Sequence, residues 1–315
     1  MGRSGRSLLL IMVCGLPFNR AWGQPTANGG SQPNGAATAT FPTPEELAVS
    51  IVSAGNSSRG VREQARASLP LAKLNADQLR MANLVLSDVS LFRRLPTVRC
   101  PIDPRVYEFF TQHPEVAVGI WRVLGISQLQ LTATGPDVYM ADTGDGSSGT
   151  LHVLLRSPTQ SVVYCDGLFK SPMLAKPIKA RALVCLTVST QPLKDGTSQI
   201  THTVDMFVSF PSLAVETIAR MVSPLSNKYA DRNMEEITSF LRMMDLSMSR
   251  QPGWVEQLAL LLDDLGQERT QQLIKVTAAI HVDALRRSNR LPGEIPVTGA
   301  AATQSASGAS DASRK

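Results

Sequence analysis

The sequence predicts an α+β fold in which an antiparallel meander packs on one long helix, with additional helices before and after this unit. Six strand-like segments follow one another between residues 128 and 209. Most of the turns between them are too short to hold a crossover helix, so neighbouring strands should pair antiparallel. An apolar stripe with helical spacing follows in residues 226–249, and further helical patterns lie upstream and downstream.

Residues 1–23 have the three parts of a cleavable secretory signal peptide. Arg3 and Arg6 give a positive start, residues 8–18 are apolar, and small residues precede a cut after Gly23. The competing interpretation is an uncleaved anchor, but the apolar run is well short of the roughly 20 residues that a spanning helix requires. We therefore expect a periplasmic or secreted protein with no transmembrane helix after cleavage.

Signal removal also changes the charge of the chain. Arg3, Arg6 and Arg20 leave without any acidic residue, so the formal net charge of +5 falls by three. A mature chain this balanced gives no electrostatic case for a nucleic-acid partner or an anionic surface.

Composition and periodicity divide the remaining chain into five parts. Gly, Ser, Thr, Pro and Ala dominate both ends, which cannot repay the entropy of ordering. The predicted parts are a disordered linker at 24–43, a helical preface at 44–90, the α+β domain at 91–249, a helical pair at 250–290 and a disordered tail at 291–315.

The preface carries clear helix signals. Residues 43–46 combine a capping hydroxyl, a Pro at the first helical position and two acids, which predicts a helix start. Val61, Ala65 and Leu69 keep helical spacing. Asn75 can cap a further helix that runs through about residue 86.

The α+β domain begins with a strand and two short helices. Residues 91–99 predict a strand that Pro96 interrupts, which places it at a sheet edge or a bulge. Asp103-Pro104 predicts the start of one helix. His113-Pro114 ends it and starts a second helix that closes at Gly125.

The six meander strands are predicted from alternation and turn chemistry. Their ranges are 128–133, 137–142, 150–156, 160–166, 178–190 and 198–209. Alternation gives each of the last two strands one apolar face, made of Ala182, Val184, Leu186 and Val188 on the fifth strand and of Val204, Met206 and Val208 on the sixth.

After the sheet the sequence period becomes helical again. A short helix over 213–222 is predicted to break near Pro224, and a long helix follows at 226–249. The stripe of the long helix consists of Ala230, Met234, Ile237, Leu241, Met244 and Met248. Two more helices are predicted at 254–265 and 268–287.

The element order of residues 91–249 resembles the helix-grip fold of the START-like superfamily, of the polyketide cyclase and coenzyme Q-binding type. Residues 223–225, which lead into the long helix, are similar to the start of the final helix in some bacterial members. Residues 91–96 and 113–116 also resemble uncharacterised exported proteins of planctomycete-type bacteria. The superfamily includes lipid-transfer domains and plant allergens, so the resemblance implies an apolar ligand, but it assigns no functional residues.

No catalytic, metal or cofactor motif stands out in the sequence. The histidines lie far apart, and none has a ligand partner at helical or Cys-x-x-Cys spacing. His202 shares a strand face with Val204 and Met206, so it is predicted to point inward. An inward histidine is either a hydrogen-bonded core residue or a ligand contact.

The soft side chains of Met206, Met234 and Met244 suit an adaptable apolar pocket between the sheet and the long helix. The leading hypothesis is therefore a non-enzymatic exported protein that binds an apolar small molecule or lipid there. Its predicted contacts are His202, Val204, Met206, Met234, Ile237, Leu241 and Met244. The alternatives are a structural or partner-binding envelope protein with a solid core and, third, an enzyme that uses the same cavity.

Three cysteines remain after signal cleavage. Cys165 and Cys185 lie on neighbouring predicted strands, so they could form a disulfide in an oxidising compartment. The alternative is that Cys100, Cys165 and Cys185 are separate buried thiols.

Cleavage of the signal peptide is directly measurable. We expect the intact mass of the exported protein to correspond to a chain that starts at or near Gln24. A soluble exported form that retains residues 1–23 would contradict this expectation.

Overall fold

The computed structural model describes residues 42–144, 146–170, 177–211 and 224–288. The predicted signal peptide, almost all of the linker, the short helix at 213–222 and the C-terminal tail lie outside the described residues and stay predictions.

The described residues form an α+β fold, as the sequence predicts. The strands are β1 (Ser50–Ser53), β2 (Leu91–Arg94), β3 (Thr97–Pro101), β4 (Gln130–Gly135), β5 (Val138–Asp142), β6 (Ser148–Arg156), β7 (Gln160–Phe169), β8 (Ile178–Pro192) and β9 (Ser198–Ser209). The helices are α1 (Arg59–Ala67), α2 (Ala76–Leu86), α3 (Pro104–Gln112), α4 (Pro114–Val123), α5 (Pro224–Arg250), α6 (Pro252–Leu260) and α7 (Gly266–Arg287). Short 3₁₀ turns lie at Leu71–Lys73 and Asp263–Leu265.

The strands form one antiparallel sheet in the order β1-β3-β9-β8-β7-β6-β5-β4, and β2 pairs with β9 in line with β3. From β4 to β9 each strand pairs with its neighbour in the chain. This confirms the predicted six-stranded meander. The helix-grip arrangement is completed by α5, which follows the sheet and packs on its inner face.

Pro96 lies in a β-bulge between β2 and β3. Arg94 pairs with Asp205 on β9, whereas Val98 pairs with His202, so the β2–β3 side has one extra residue between these two pairs. The N–H of Leu95 still donates to the carbonyl of Val204 at 2.9 Å. Proline has no backbone N–H to donate, and the extra residue of a bulge makes no ladder hydrogen bond, so pairing with β9 resumes after Pro96.

The helix predicted to start at residues 43–46 is wrong. The cap contacts do form: the N–H of Thr43 donates to the Glu46 carboxylate at 3.0 Å, and the N–H of Glu46 donates to the Thr43 hydroxyl at 3.4 Å. The chain makes only one turn and then enters β1, where the β-branched Ile51 and Val52 favour pairing with β3 over helix. By contrast, Asn75 caps α2 as predicted.

The sheet separates two apolar cores. Alternate residues of β8, such as Ala182 and Val184, face a large inner core that includes α3, α4, α5, α6 and α7. The intervening residues, such as Leu183 and Cys185, face an outer core with α1 and α2. The helical preface therefore covers the back of the sheet.

This division rules out the possible disulfide between Cys165 and Cys185. Cys165 pairs with Ala182 on β8, whereas Cys185 pairs with Val162 on β7, so the two thiols point to opposite faces of the sheet. Both cysteines are free and buried, in different cores. Side chains on opposite faces cannot reach the geometry of a disulfide, and the alternative of separate buried thiols holds instead.

The stripe of α5 faces the inner core, as predicted. Ala230, Met234, Leu241, Met244 and Met248 are buried, and Ile237 is half-buried. The later part of α5 is covered by the C-terminal helices: the ring nitrogen Nδ1 of His281 on α7 contacts the carbonyl of Ser249 at 2.8 Å. The predicted helical pair is thus a cap over this end of the fold.

Polar contacts hold both halves of α5 against the sheet. Near its start, Arg93 on β2 forms a two-pronged ion pair with Asp231. Nearer its end, the N–H of Asp103 donates to the Asp245 carboxylate at 3.0 Å, and Arg242 donates to the carbonyl of Pro101 at 2.6 Å. Each contact is at least partly buried, so breaking it would leave an uncompensated charge.

Candidate apolar binding cavity

A cavity of about 220 Å³ lies between the inner face of the sheet and the helices α3, α4 and α5. Its walls are mainly apolar, and the charged residues among them are Arg156, Asp166 and Arg181. From the sheet side they include Leu129, Leu131, Tyr139, Ala141, Leu151, Val163, Cys165, Ala182, Val184, Leu186, Val204 and Val208. From the helices they include Tyr107, Phe110, Ala117, Trp121, Met234, Ile237, Phe240 and Leu241. An apolar cavity of about 150 Å³ is already large enough to stay dry and bind benzene, so this one can hold a small apolar molecule.

Five of the seven residues predicted from the sequence line the cavity. They are His202, Val204, Met234, Ile237 and Leu241. Met206 and Met244 are buried in the filled part of the inner core, outside the cavity wall. Their contribution to binding, as that of the five lining residues, stays a prediction.

The aromatic part of the wall was not predicted from the sequence. Phe240 on α5 packs edge-on against Trp121 on α4 and Phe110 on α3, with ring centroids 5.2 and 5.6 Å apart. Edge-to-face contacts of this kind fix ring orientations. The helical spacing of Phe110 was visible, but which helix it meets depends on long-range packing.

A row of very small residues crosses the inner face of the sheet. Ala141, Gly149, Gly167 and Ala180 lie in register on β5, β6, β7 and β8. A Cβ built on Gly167 would lie 2.2 Å from the carbonyl oxygen of Ser148 and 2.6 Å from the Cα of Gly149. The two glycines therefore allow an unusually close backbone approach and leave the space above the row unfilled.

The close approach predicts a strong effect of one methyl group. Gly167→Ala should lower the free energy of unfolding by about 1–3 kcal/mol or more, because its Cβ meets backbone atoms that cannot move away. The control is Gly60→Ala in α1, where nothing lies within 4 Å of the added Cβ. It should be neutral or stabilise by up to about 1 kcal/mol. Equal stability of Gly167→Ala and wild type in chemical denaturation would contradict the packing described above.

The main polar feature of the wall is a buried hydrogen-bonded chain. The Nδ1 atom of His202 lies 2.6 Å from the hydroxyl of Tyr107, and its Nε2 atom lies 2.9 Å from the hydroxyl of Thr238. The Thr238 hydroxyl in turn donates to the carbonyl of Met234 at 2.7 Å. Both ring nitrogens are satisfied, so His202 is a hydrogen-bonded core residue that also lines the cavity.

Burial keeps the hydrogen-bonded residues His202 and Tyr107 neutral. Desolvation lowers the pKa of His202 to about 4 and raises the pKa of Tyr107 above its usual range. The cavity therefore presents an uncharged imidazole and phenol at neutral pH.

The neutral imidazole predicts a pH dependence of stability. In the unfolded chain a histidine titrates near 6.5, whereas in the folded protein His202 titrates near 4. As the pH falls through this window the unfolded state binds the proton first, so stability falls by up to about 3 kcal/mol for this residue.

Replacing His202 should remove its contribution to the pH dependence of stability. We expect His202→Gln to lose less stability than wild type between pH 6.5 and pH 4 in urea unfolding. His113, whose pKa burial also lowers to about 4, remains in both proteins, so the difference isolates His202. Identical slopes in the two proteins would show that His202 is not buried in its neutral form.

The other ionisable groups of the wall are engaged or inert. Arg181 pairs with Asp166 at 3.3 Å. Arg156 donates to the carbonyl of Gln112 at 3.1 Å and pairs with Asp137 at 3.4 Å. Burial raises the pKa of the Cys165 thiol to about 12, so it stays protonated and a poor nucleophile. Within the described ranges, no group of three or more His, Cys, Asp or Glu residues is placed to hold a metal ion.

No protein-family model matches the chain, and no curated protein matches its sequence. Three solved structures each cover about half of it. The crystal structure of Ara h 8.0201 is 11% identical, with a TM-score of 0.33, and the match covers 50% of this chain and 99% of that one. A conserved protein from Geobacillus kaustophilus is 14% identical, with a TM-score of 0.28 and coverages of 45% and 92%. An uncharacterized protein from Rhizobium leguminosarum is 17% identical, with a TM-score of 0.28 and coverages of 48% and 94%.

The fold and the cavity define this chain as an α+β helix-grip protein with an apolar cavity between its meander and its long helix. None of the described helices has the length and apolar character to cross a bilayer.

Proposed function

We propose that this chain is an exported, non-enzymatic protein that binds an apolar small molecule or lipid in the cavity between the sheet and α5. The observation that carries the proposal is the cavity itself, about 220 Å³ of space with nearly continuous apolar walls. Pockets that combine such walls with a few polar groups are the usual sites of small-molecule binding.

The physical basis of binding is burial of apolar surface. Each Å² of apolar ligand surface removed from water contributes about 25 cal/mol, from which the entropy lost on association is subtracted. A preformed site reduces the second cost. Here the aromatic contacts of Phe110, Trp121 and Phe240 and the ion pair of Arg93 with Asp231 hold the walls in place before a ligand arrives.

The cavity favours this proposal over the solid-core alternative. A structural or partner-binding protein would have a filled interior and a broad exposed apolar face. Among the described residues, the most exposed large apolar side chains are Leu260 and Leu261, at 67% and 60%. An adjacent pair of this kind is common on soluble proteins and does not make a docking face.

The third candidate, an enzyme in the same cavity, lacks support from the groups that line it. His202 uses both ring nitrogens in hydrogen bonds and is neutral, and the Cys165 thiol is protonated. Nucleophilic catalysis needs a nucleophile within hydrogen-bond reach of a base, and these two residues have no such contact with each other in the described structure.

Filling the cavity should weaken binding without unfolding the protein. Met234 lines the cavity, so Met234→Trp should place its ring in empty space and weaken binding with little loss of stability. Met248 belongs to the same stripe but lies in the filled core, so Met248→Trp should overpack it and cost about 1–3 kcal/mol. The measurement is thermal unfolding of wild type and both variants, with and without lipid extracted from the host.

Two outcomes would contradict the proposal. A wild-type protein whose unfolding temperature does not change with any lipid fraction would show that no ligand stabilises the fold. Equal destabilisation by Met234→Trp and Met248→Trp would show that both sites are filled core and would favour the structural alternative.

A further inference from the structure

In the buried hydrogen-bonded series of Tyr107, His202 and Thr238, the donor and the acceptor of each contact can be assigned. This assignment determines which hydrogen-bonding group is left for a ligand. We propose that the cavity selects ligands with a hydrogen-bond donor, such as alcohols or phenols, because the Tyr107 oxygen presents only a free acceptor. This inference rests on the proposed function, since it concerns which molecules the same cavity prefers.

The assignment of donors and acceptors starts from Thr238, which lies on α5. The Thr238 hydroxyl lies 2.7 Å from the carbonyl oxygen of Met234, and a carbonyl can only accept. The single hydroxyl hydrogen of Thr238 therefore lies on this contact. The contact between Thr238 and His202 at 2.9 Å then needs its hydrogen from the ring, so Nε2 carries the proton.

The tautomer of His202 determines which atom donates in its contact with Tyr107. A neutral imidazole carries one N–H, so Nδ1 of His202 has a lone pair and must accept. The only hydrogen available for its 2.6 Å contact is that of the Tyr107 hydroxyl, which therefore donates to Nδ1. The burial that keeps the ring neutral excludes the doubly protonated alternative.

What remains is an acceptor on Tyr107. Its hydroxyl hydrogen is committed to His202, and the described residues provide no second hydrogen-bond partner for its oxygen. Tyr107 and His202 both line the cavity, whose walls are otherwise mostly apolar apart from Arg156 and the ion pair of Arg181 with Asp166. A ligand O–H or N–H can donate to this oxygen. An ether or ketone oxygen, or a carboxylate, can only face it lone pair to lone pair.

The test compares ten-carbon molecules that differ in their polar group. Decanol has an O–H donor, its isomer nonyl methyl ether has only an acceptor, and decanoic acid is a carboxylate at neutral pH. Binding is followed by intrinsic tryptophan fluorescence, to which Trp121 in the cavity wall and Trp254 on α6 both contribute, with calorimetry as the second readout. We expect wild type to bind decanol about five- to tenfold tighter than the ether, as a net hydrogen bond predicts.

Two variants separate the direction of the chain from general polarity. Tyr107→Phe keeps the ring but removes the oxygen, so decanol should lose its advantage while the affinity for the ether stays within about twofold. Thr238→Val keeps the shape but removes the acceptor for Nε2–H. The ring should then protonate Nδ1 and donate to Tyr107, whose freed hydroxyl can donate to the ligand. The ether should therefore bind Thr238→Val at least as tightly as decanol.

The possible outcomes distinguish failure of the proposed donor preference from failure of the proposed apolar binding. Measurable binding of all three probes to wild type with equal affinities would overturn the donor selection and leave the apolar binding function standing. A preference for decanol that survives in Tyr107→Phe, or in Thr238→Val if the first variant does not fold, would also overturn it. If none of the three probes binds in either calorimetry or fluorescence, both proposals are wrong.

Discussion

The cavity exists because a helix that must bury an apolar stripe faces a sheet with almost no side chains along one row. Ala141, Gly149, Gly167 and Ala180 meet in register, and the two glycines bring β6 and β7 too close for even a methyl group. A free helix would settle onto such a row and close the gap, since unfilled apolar space is costly. Here α5 is fixed by an ion pair to β2 near its start and by buried polar contacts to the end of β3 and the start of α3 near its end. The space above the row is therefore a property of the fold rather than a packing defect.

The same constraint explains why few polar groups can matter for recognition. Most of the wall is made of apolar side chains, so for the proposed ligand it would contribute affinity in proportion to area but little discrimination between molecules of equal size. The hydrogen-bonded chain from Met234 through Thr238 and His202 to Tyr107 is fully buried along the wall. A buried polar network that is satisfied except for one acceptor penalises any ligand that leaves this acceptor unpaired. Under the proposed function, shape and area would come from the sheet and α5, and selectivity would come from the Tyr107 oxygen.

The fold was predictable from local patterns, whereas the site was only partly so. Alternation and turn chemistry placed both ends of β9 at the observed residues, and 3–4 spacing identified the buried stripe of α5. His202 and Met234 were found because each lies on a face whose direction the local period fixes. Tyr107 and Trp121 were missed, because their place in the wall depends on how α3 and α4 cross the sheet. The disulfide prediction failed for a related reason: which face Cys185 occupies relative to its neighbour depends on strand register, which local spacing does not contain.

The most direct test of the central claim, that this cavity holds a ligand, is native mass spectrometry of the protein purified from its own host without detergent or organic solvent. The account predicts a bound species of defined mass on wild type that is released on denaturation, and its loss from Met234→Trp purified in the same way. The released molecule should be apolar over most of its length and carry a hydroxyl or N–H group. A folded wild-type protein that shows only the mass of the bare chain, in repeated preparations from cells at different growth stages, would contradict the account.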